Sequence, residues 1–445
     1  MGDAAEMMPG PADLAPVLAD GGLEKGVLGL RMSGVPLASI ADAVGTPTYV
    51  YSADVIRRRY EMLSAALAPL QHRICFAVKA NSNLAVLRTL RDCGAGADLV
   101  SGGELQRALA AGFAPESIVF SGVGKSRAEL RLAVQHQVGH VNVESLEELH
   151  RLADVAAELG STVRVGIRVN PDVTAETHPY ISTGQGGIKF GVPADQVLAA
   201  VEFIVGHPIL KLTALAMHLG SQLTDPAPYA EGIARLLKLV AEVRAAGARD
   251  LEAVDIGGGL GIRYAGDPGI DLDRWANAVV TPLRPLGLTV YVEPGRFLVG
   301  NAGVLLTEVL YRKHSGGKDF VIVDAAMNDL LRPSLYRAWH GIVEVTPKGR
   351  AVRPVDVVGP ICETGDFLAL GRPLPGVEPG ERLAILGAGA YGFVMSSNYN
   401  TRGRAAEVLV RDGNWAVVRP RELVSDLFKT EDVDPFTPTS VSKPK

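Results

Sequence analysis

Cysteine is scarce in this chain of 445 residues: three are present, Cys75, Cys93 and Cys362, and no two have CxxC spacing. That argues against a disulfide framework or a thiolate zinc site, and for a reducing compartment. An excess of one charge is missing too. Lys and Arg number 44 against 49 Asp and Glu, a net charge of −5, so neither nucleic acid nor an anionic membrane surface is favoured as a partner. No apolar run is long enough to span a bilayer, and the opening MGDAAEMMPGPADLAP lacks the basic and apolar regions of a secretory signal. The expectation is a cytoplasmic protein. What is present is ordinary for a soluble enzyme: 47% hydrophobic and 21% charged residues, in a length that suits two domains.

Between residues 74 and 293, eight short β-like runs alternate with amphipathic helical patterns. The runs cover 74–78, 97–100, 118–121, 140–143, 163–169, 212–219, 253–256 and 289–293. Helical periodicity fills 84–92, 104–111, 127–135, 146–159 and 230–246, and a further helix at 53–67 precedes the first run. The early runs recur roughly every 22 residues, a short βα period. This pattern predicts a (β/α)8 barrel over 47–297, with an active site gathered at the C-terminal ends of the strands. An open doubly wound sheet is the alternative, and it would collect ligands at a single switch point.

Beyond residue 297 the runs at 304–312, 320–324, 342–345, 355–358, 383–386, 407–410 and 415–418 have few helical stretches between them. They predict an all-β domain over 298–428, so the fold class is α/β plus all-β. Residues 1–46 form an N-terminal segment expected to pack on that domain and able to add a strand to it. Residues 429–445, rich in Pro, Thr, Ser and acids, read as a flexible tail.

Four of the barrel runs end in chemically loaded turns. Lys79 closes the run from Ile74, and His218-Leu-Gly-Ser221, Gly257-Gly258-Gly259 and Glu293-Pro294-Gly295-Arg296 close three later ones. An amine, an imidazole, a triple glycine and a Glu/Arg turn suit pyridoxal phosphate. The amine can condense with the aldehyde, and the glycines let backbone N–H groups approach the phosphate. A carboxylate can keep the ring nitrogen protonated, so that the ring works as an electron sink. Taken singly, each signal has a plainer reading: a solvated strand-end lysine, a core histidine, a glycine-rich turn. Cys362 alone would be a loop cysteine. Their order and shared position at strand ends carry the argument.

A GxGxxG pattern, Gly387 to Gly392, also follows a β-like run. A dinucleotide site needs a helix next and then a second strand ending in an acid. The sequence continues FVMSSNYNTR, a poor helix start, and a Rossmann site is set aside.

FAVKANSN, HLGSQ, DIGGGLG, EPGR, MNDLLRPSLY, CETGD and GAYGFVMSSNYN occur in the order found in fold-type III PLP-dependent decarboxylases. The chain resembles that family over residues 25–428, and RPSLY with CETGD is closer to its diaminopimelate-specific branch than to ornithine decarboxylases. The resemblance implies a TIM-type barrel with a C-terminal β domain, as in alanine racemase and ornithine decarboxylase. It implies pyridoxal 5'-phosphate as cofactor, no metal, and conversion of meso-2,6-diaminopimelate to L-lysine and CO2, the last step of lysine biosynthesis.

Residue by residue, the resemblance makes Lys79 the lysine that binds the cofactor and His218 the imidazole on the ring face. Ser221 and Gly257, Gly258 and Gly259 become phosphate-binding elements. Glu293 becomes the partner of the pyridine nitrogen, within a turn whose Pro294, Gly295 and Arg296 also meet the cofactor. Arg296 reaches the substrate carboxylate, and Arg332 and Tyr336 the substrate's distal end. Cys362 becomes the proton donor, Glu363 the acceptor for the distal ammonium, and Tyr391 a cofactor and substrate contact.

The resemblance further implies a homodimer in which the Cys362–Glu363 loop enters the neighbouring barrel, so that active sites are shared. Residues 178–184 resemble the family's active-site loop, although the continuation QGGIKF departs from the more usual charged pattern. Decarboxylation of ornithine, arginine or carboxynorspermidine remains an alternative, as do a racemase and a non-catalytic PLP carrier. Carriers resemble the barrel alone, so the β domain and Arg332, Cys362 and Glu363 argue against the last.

Overall fold

A strand that is apolar at every position, rather than at alternate ones, is covered on both faces. The strand His72–Ala77 is of this kind over its last four residues, with Ile74, Cys75, Phe76 and Ala77 all buried. The computed structural model describes residues 14–27, 29–171, 189–265 and 268–431. In it Gly96–Leu99, Ile118–Phe120, His140–Val143, Val163–Arg168, Leu210–Ala216, Ala253–Asp255 and Thr289–Val292 join the first strand in a closed barrel. All neighbouring pairs run parallel, and the last strand closes on the first, with Val290 opposite His72 and Val292 opposite Ile74. The expected barrel is present, and closure excludes the open sheet.

Polar caps place the helices around it. Ser101, Ser126 and Ser145 accept the N–H groups of Glu104, Glu129 and Glu148, and Ser126 with Glu129 forms a full capping box. Gly112 and Gly160 end two of these helices in the left-handed conformation. No helix among the described residues is long and apolar enough to cross a membrane.

Nine further strands form a mixed sheet. Its centre is Gly303–Ser315, which pairs with Lys318–Val323, Arg382–Ile385 and Thr48–Ser52. Two features depart from the sequence reading. Residues 47–52 were expected with the barrel, yet Thr48–Ser52 lies inside the mixed sheet, antiparallel to Gly303–Ser315 and parallel to Ala406–Arg411. All five of its residues are buried, and the Tyr51 hydroxyl donates to Glu407 Oε1 at 2.8 Å. Local periodicity carries no information about so distant a partner. The strand Phe367–Pro375 escapes the sequence reading because Gly371, Pro373 and Pro375 interrupt it, and the sheet edge tolerates them.

The segment before residue 46 builds a small antiparallel sheet of its own, Leu23–Gly26, Gly29–Met32 and Val35–Pro36, rather than extending the large one. The Leu30 N–H donates to the Val345 carbonyl at 2.7 Å. Leu30, Met32, Leu37 and Ile40 share a buried cluster with Val50, Val304, Ala384 and Val408, so the segment covers one face of the mixed sheet. Fully burying side chains of this size stabilises by about 1.5–3 kcal/mol each.

Barrel and mixed sheet meet at the turn that carries Lys79. Asn81 Nδ2 donates to the Gly389 carbonyl at 3.0 Å, and the Tyr391 N–H donates to the Ala80 carbonyl at 2.9 Å. The GxGxxG glycines serve this close approach: a Cβ on Gly389 would collide with the Val299 carbonyl, and one on Gly392 would lie 2.6 Å from the Ala388 carbonyl. A short 3-10 turn, Phe393–Met395, follows in place of a dinucleotide-binding helix.

Candidate active site

The loaded turns converge. Lys79 leaves the first strand in a 3-10 turn, Val78–Ala80, and its amine lies 3.0 Å from Asp98 Oδ2 on the second strand. Asp98 has no exposed side-chain surface, whereas 36% of the Lys79 side chain is exposed. It faces a cavity of about 380 Å³ lined in part by Ser121, Asn142, Arg168, His218 and Glu293. Burial pushes the Lys79 pKa down, but Asp98, Glu293 and Tyr391 outweigh it and hold the ammonium above the ordinary lysine value.

His218 follows the sixth strand, and its Nδ1 accepts the Gly258 N–H at 3.1 Å. Burial, reinforced by Arg168 and Lys79, drives its pKa well below the usual imidazole range. It therefore offers a neutral aromatic surface. Glu293 ends the eighth strand, and burial, then Asp255 and Asp98, raise its carboxyl well above normal while Lys79 pulls the other way. Asp255 is raised as well, mainly by burial. Its Oδ1 accepts the Gly257 N–H at 2.8 Å, and its carboxyl also interacts with that of Glu293. The raised Glu293 and Asp255 carboxyls mark a site that favours positive charge, and a protonated nitrogen entering the cavity would supply it.

The glycine turn is held by shape. Gly257 and Gly259 have φ of +71° and +103°, and a Cβ on Gly258 would strike the Glu293 carbonyl. Two of the three N–H groups, on Gly257 and Gly258, are already engaged within the protein, so the turn offers fewer donors to a phosphate than the sequence suggests. The Pro294 carbonyl accepts the Ala77 N–H at 3.2 Å, tying this turn to the lysine strand. Gly295 lets the turn pack closely there: a Cβ on it would lie 2.9 Å from the Ala80 Cβ.

Beside the cavity two guanidinium groups share one phenol. Arg296 donates from Nη1 to the Tyr264 hydroxyl at 2.6 Å and from Nη2 to Ser221 Oγ at 3.1 Å, and lies 4.9 Å from the Tyr391 ring centroid. Arg332 opens the short helix Arg332–Tyr336, lies 4.9 Å from the Tyr264 ring centroid, and approaches His340 Nε2 at 2.8 Å. Both arginines are buried. Burial pushes the Tyr264 pKa up, but Arg296 and Arg332 outweigh it and bring the phenol below its ordinary value.

Residues 53–300 match the family model described as "Pyridoxal-dependent decarboxylase, pyridoxal binding domain". The chain is 52% identical over 406 residues to diaminopimelate decarboxylase of Pseudomonas aeruginosa, covering 91% of this chain and 97% of that one. Against diaminopimelate decarboxylase of Vibrio cholerae it is 46% identical over 402 residues, covering 90% and 96%. The chain belongs to the diaminopimelate decarboxylase family. The crystal structure of the Helicobacter pylori enzyme complexed with L-lysine superposes with a TM-score of 0.85 at 42% identity, covering 88% of this chain and 98% of that one. The M. jannaschii enzyme in co-complex with L-lysine gives 0.88 at 34% identity, covering 93% and 98%.

For a diaminopimelate decarboxylase, the barrel and its flank bring together Lys79, His218, Ser221, Gly257 to Gly259, Glu293 to Arg296, Arg332 and Tyr391. Tyr336 lies one turn beyond Arg332, half-buried. Cys362 and Glu363 stand apart, exposed in the turn between Val352–Val358 and Phe367–Pro375, and neither lines the cavity around Lys79. The Cys362 N–H donates to Asn400 Oδ1 at 3.0 Å. The expected loop at 178–184 lies outside the described residues. Sequence reading missed Asp98, Asp255, Tyr264 and His340. Asp98 had a signal, a lone carboxylate in the apolar stretch Ala97–Val100, and Asp255 had the same one.

Proposed function

We propose that this chain decarboxylates meso-2,6-diaminopimelate to L-lysine and CO2, the last step of lysine biosynthesis, with pyridoxal phosphate held at Lys79. The observation that carries the reading is the pair of buried guanidinium groups, Arg296 and Arg332, against the single phenol of Tyr264. Among the described residues neither arginine pairs with a carboxylate, and buried cations without anions are costly. A cofactor phosphate and a carboxylate at the far end of the substrate would supply two anions. Ornithine has no such far-end carboxylate.

The residues fit the cofactor: an amine opens into a cavity of about 380 Å³, beside a neutral imidazole and a carboxyl cluster. When bound, pyridoxal phosphate supplies the electron sink for the charge left by departing CO2. Lys79 would hold it through its amine, with Asp98 setting that amine's charge. Glu293, backed by Asp255, would keep a proton on the ring nitrogen, and His218 would bound one ring face. Ser221, the Gly257–Gly259 turn, Gly295 and Arg296 would lie at the phosphate. Arg296, Arg332, Tyr336 and Tyr391 would orient the substrate through its carboxylates.

Protonation of the carbon that lost CO2 would fall to Cys362 Sγ, with Glu363 pairing the distal ammonium. The exposed position of that loop, outside the cavity of its own chain, supports a homodimer in which it completes the neighbour's site. Cytoplasmic placement belongs to the same reading.

A CO2-release assay over meso-diaminopimelate, ornithine, arginine and lysine tests the substrate. Release with meso-diaminopimelate, accompanied by L-lysine, is expected, and preference for ornithine or arginine would overturn the assignment. Borohydride reduction of the holoenzyme followed by peptide mapping should mark Lys79. A mark on another lysine would move the site.

A further inference from the structure

The short helix Arg332–Tyr336 ends at Arg337, whose left-handed conformation (φ 50°) turns the chain back. That reversal returns His340 to the side of Arg332. The imidazole is fully buried, and both ring nitrogens are engaged. Nδ1 lies 2.8 Å from the Leu386 carbonyl, an obligatory acceptor, so Nδ1 carries the proton. Nε2 therefore presents a lone pair, which accepts from Arg332 Nη1 at 2.8 Å. Tyr264 packs edge-on against the ring at 5.2 Å, and Arg372 clamps the His340 carbonyl at 2.6 Å.

This acceptor is unusual in being neutral. Arginines are more often fixed by carboxylates, which also cancel their charge. Around His340 the charged neighbours are Arg332, Arg296 and Arg372, and together with burial they oppose a proton on Nε2. A neutral acceptor orients the guanidinium and leaves its full positive charge for another anion. A carboxylate at the same place would compete with that anion.

We propose that His340 is a positioning residue that orients Arg332 toward the substrate's distal carboxylate without neutralising it, and so sets the preference for a substrate carrying one. The inference rests on the reading of Arg332 given above. It adds a specificity determinant that touches neither substrate nor cofactor.

The test uses holoenzyme and meso-diaminopimelate kinetics, with Arg332→Lys as the scale. His340→Met removes the acceptor at similar volume. KM should rise about tenfold to a hundredfold, the size of a lost hydrogen bond to a charged group, with kcat changed less than about threefold and bound cofactor unchanged. His340→Gln can place an amide oxygen near the Nε2 position and should keep KM within about threefold of wild type. His340→Glu should raise KM, because its carboxylate would pair with Arg332. In the Arg332→Lys background, His340→Met should add nothing further, the mark of action through one partner.

An unaltered KM in His340→Met, with KM raised in Arg332→Lys, would overturn this inference and leave the proposed function standing. An unaltered KM in Arg332→Lys would overturn the reading beneath it. Equal impairment in the Gln and Met variants would assign His340 to packing and also overturn the proposal. If the Met variant does not fold, the Gln and Glu pair decides: a raised KM in Glu alone supports the role, and equal values refute it.

Discussion

The Lys79 amine lies 3.0 Å from the carboxylate of Asp98, a residue with no exposed side-chain surface. Burial alone would lower the lysine's pKa, and Asp98 is the first of the charges that reverse this. A raised lysine keeps its proton to higher pH, so the free amine needed to capture an aldehyde is scarce near neutrality. Removing the Asp98 charge lowers that pKa. The Asp98→Asn apoprotein should therefore capture pyridoxal phosphate at lower pH than wild type, followed by visible absorbance across a pH series. A superimposable pH profile would remove Asp98 from this role.

Glu293→Gln should leave cofactor bound, because the residues proposed to hold its phosphate are others. Turnover should fall by about 10²–10³-fold, the usual loss when one preorganised electrostatic group is removed. Absorbance reports cofactor content and CO2 release reports turnover. Full turnover in the variant would assign Glu293 another task.

Gly258 and Gly124 offer a matched pair. A Cβ on Gly258 would meet the Glu293 carbonyl, whereas one on Gly124, at the cavity wall, meets nothing within 4 Å. Gly258→Ala should cost about 1–3 kcal/mol of stability through forced backbone movement. Gly124→Ala should remain within about 0.5 kcal/mol of wild type. Thermal melts of both holoenzymes check this, and equal melting temperatures would contradict the packing described.

The Cys362 loop leads to a complementation experiment. Lys79→Ala and Cys362→Ala should each be inactive alone. In a mixed dimer with shared sites, one site receives both defects and the other receives neither. Random exchange makes about half the dimers mixed, so roughly a quarter of wild-type activity should return, a ceiling set by two-fold symmetry. Demonstrated exchange without recovered activity would place Cys362 in its own chain's site or outside the chemistry.

Much of this architecture is written locally. Continuous apolar runs such as Ile74 to Ala77 mark strands covered on both faces, and serine caps mark the helices between them. Lys79, His218 and Glu293 were legible because each follows such a run. Thr48–Ser52 went unread as a strand, and nothing near it names its partner in Ala406–Arg411. Tyr264 and His340 were hidden for a related reason. Each is a single residue in an unremarkable stretch, given meaning by Arg296 and Arg332 arriving from elsewhere in the chain.

The placement of Thr48–Ser52 also bears on how the chain is made. Tyr51 hydrogen-bonds a residue 356 positions downstream, so the ribosome must finish almost the whole protein before that strand has both neighbours. At about 5–20 residues per second this is a wait of roughly 20–70 s. Throughout it a strand whose five residues are all buried in the finished protein waits at the amino-terminal side of a barrel still being made, whose last strand ends only at Val292. The nascent protein therefore carries an unpaired edge for most of its synthesis, and the last strands to emerge cap it.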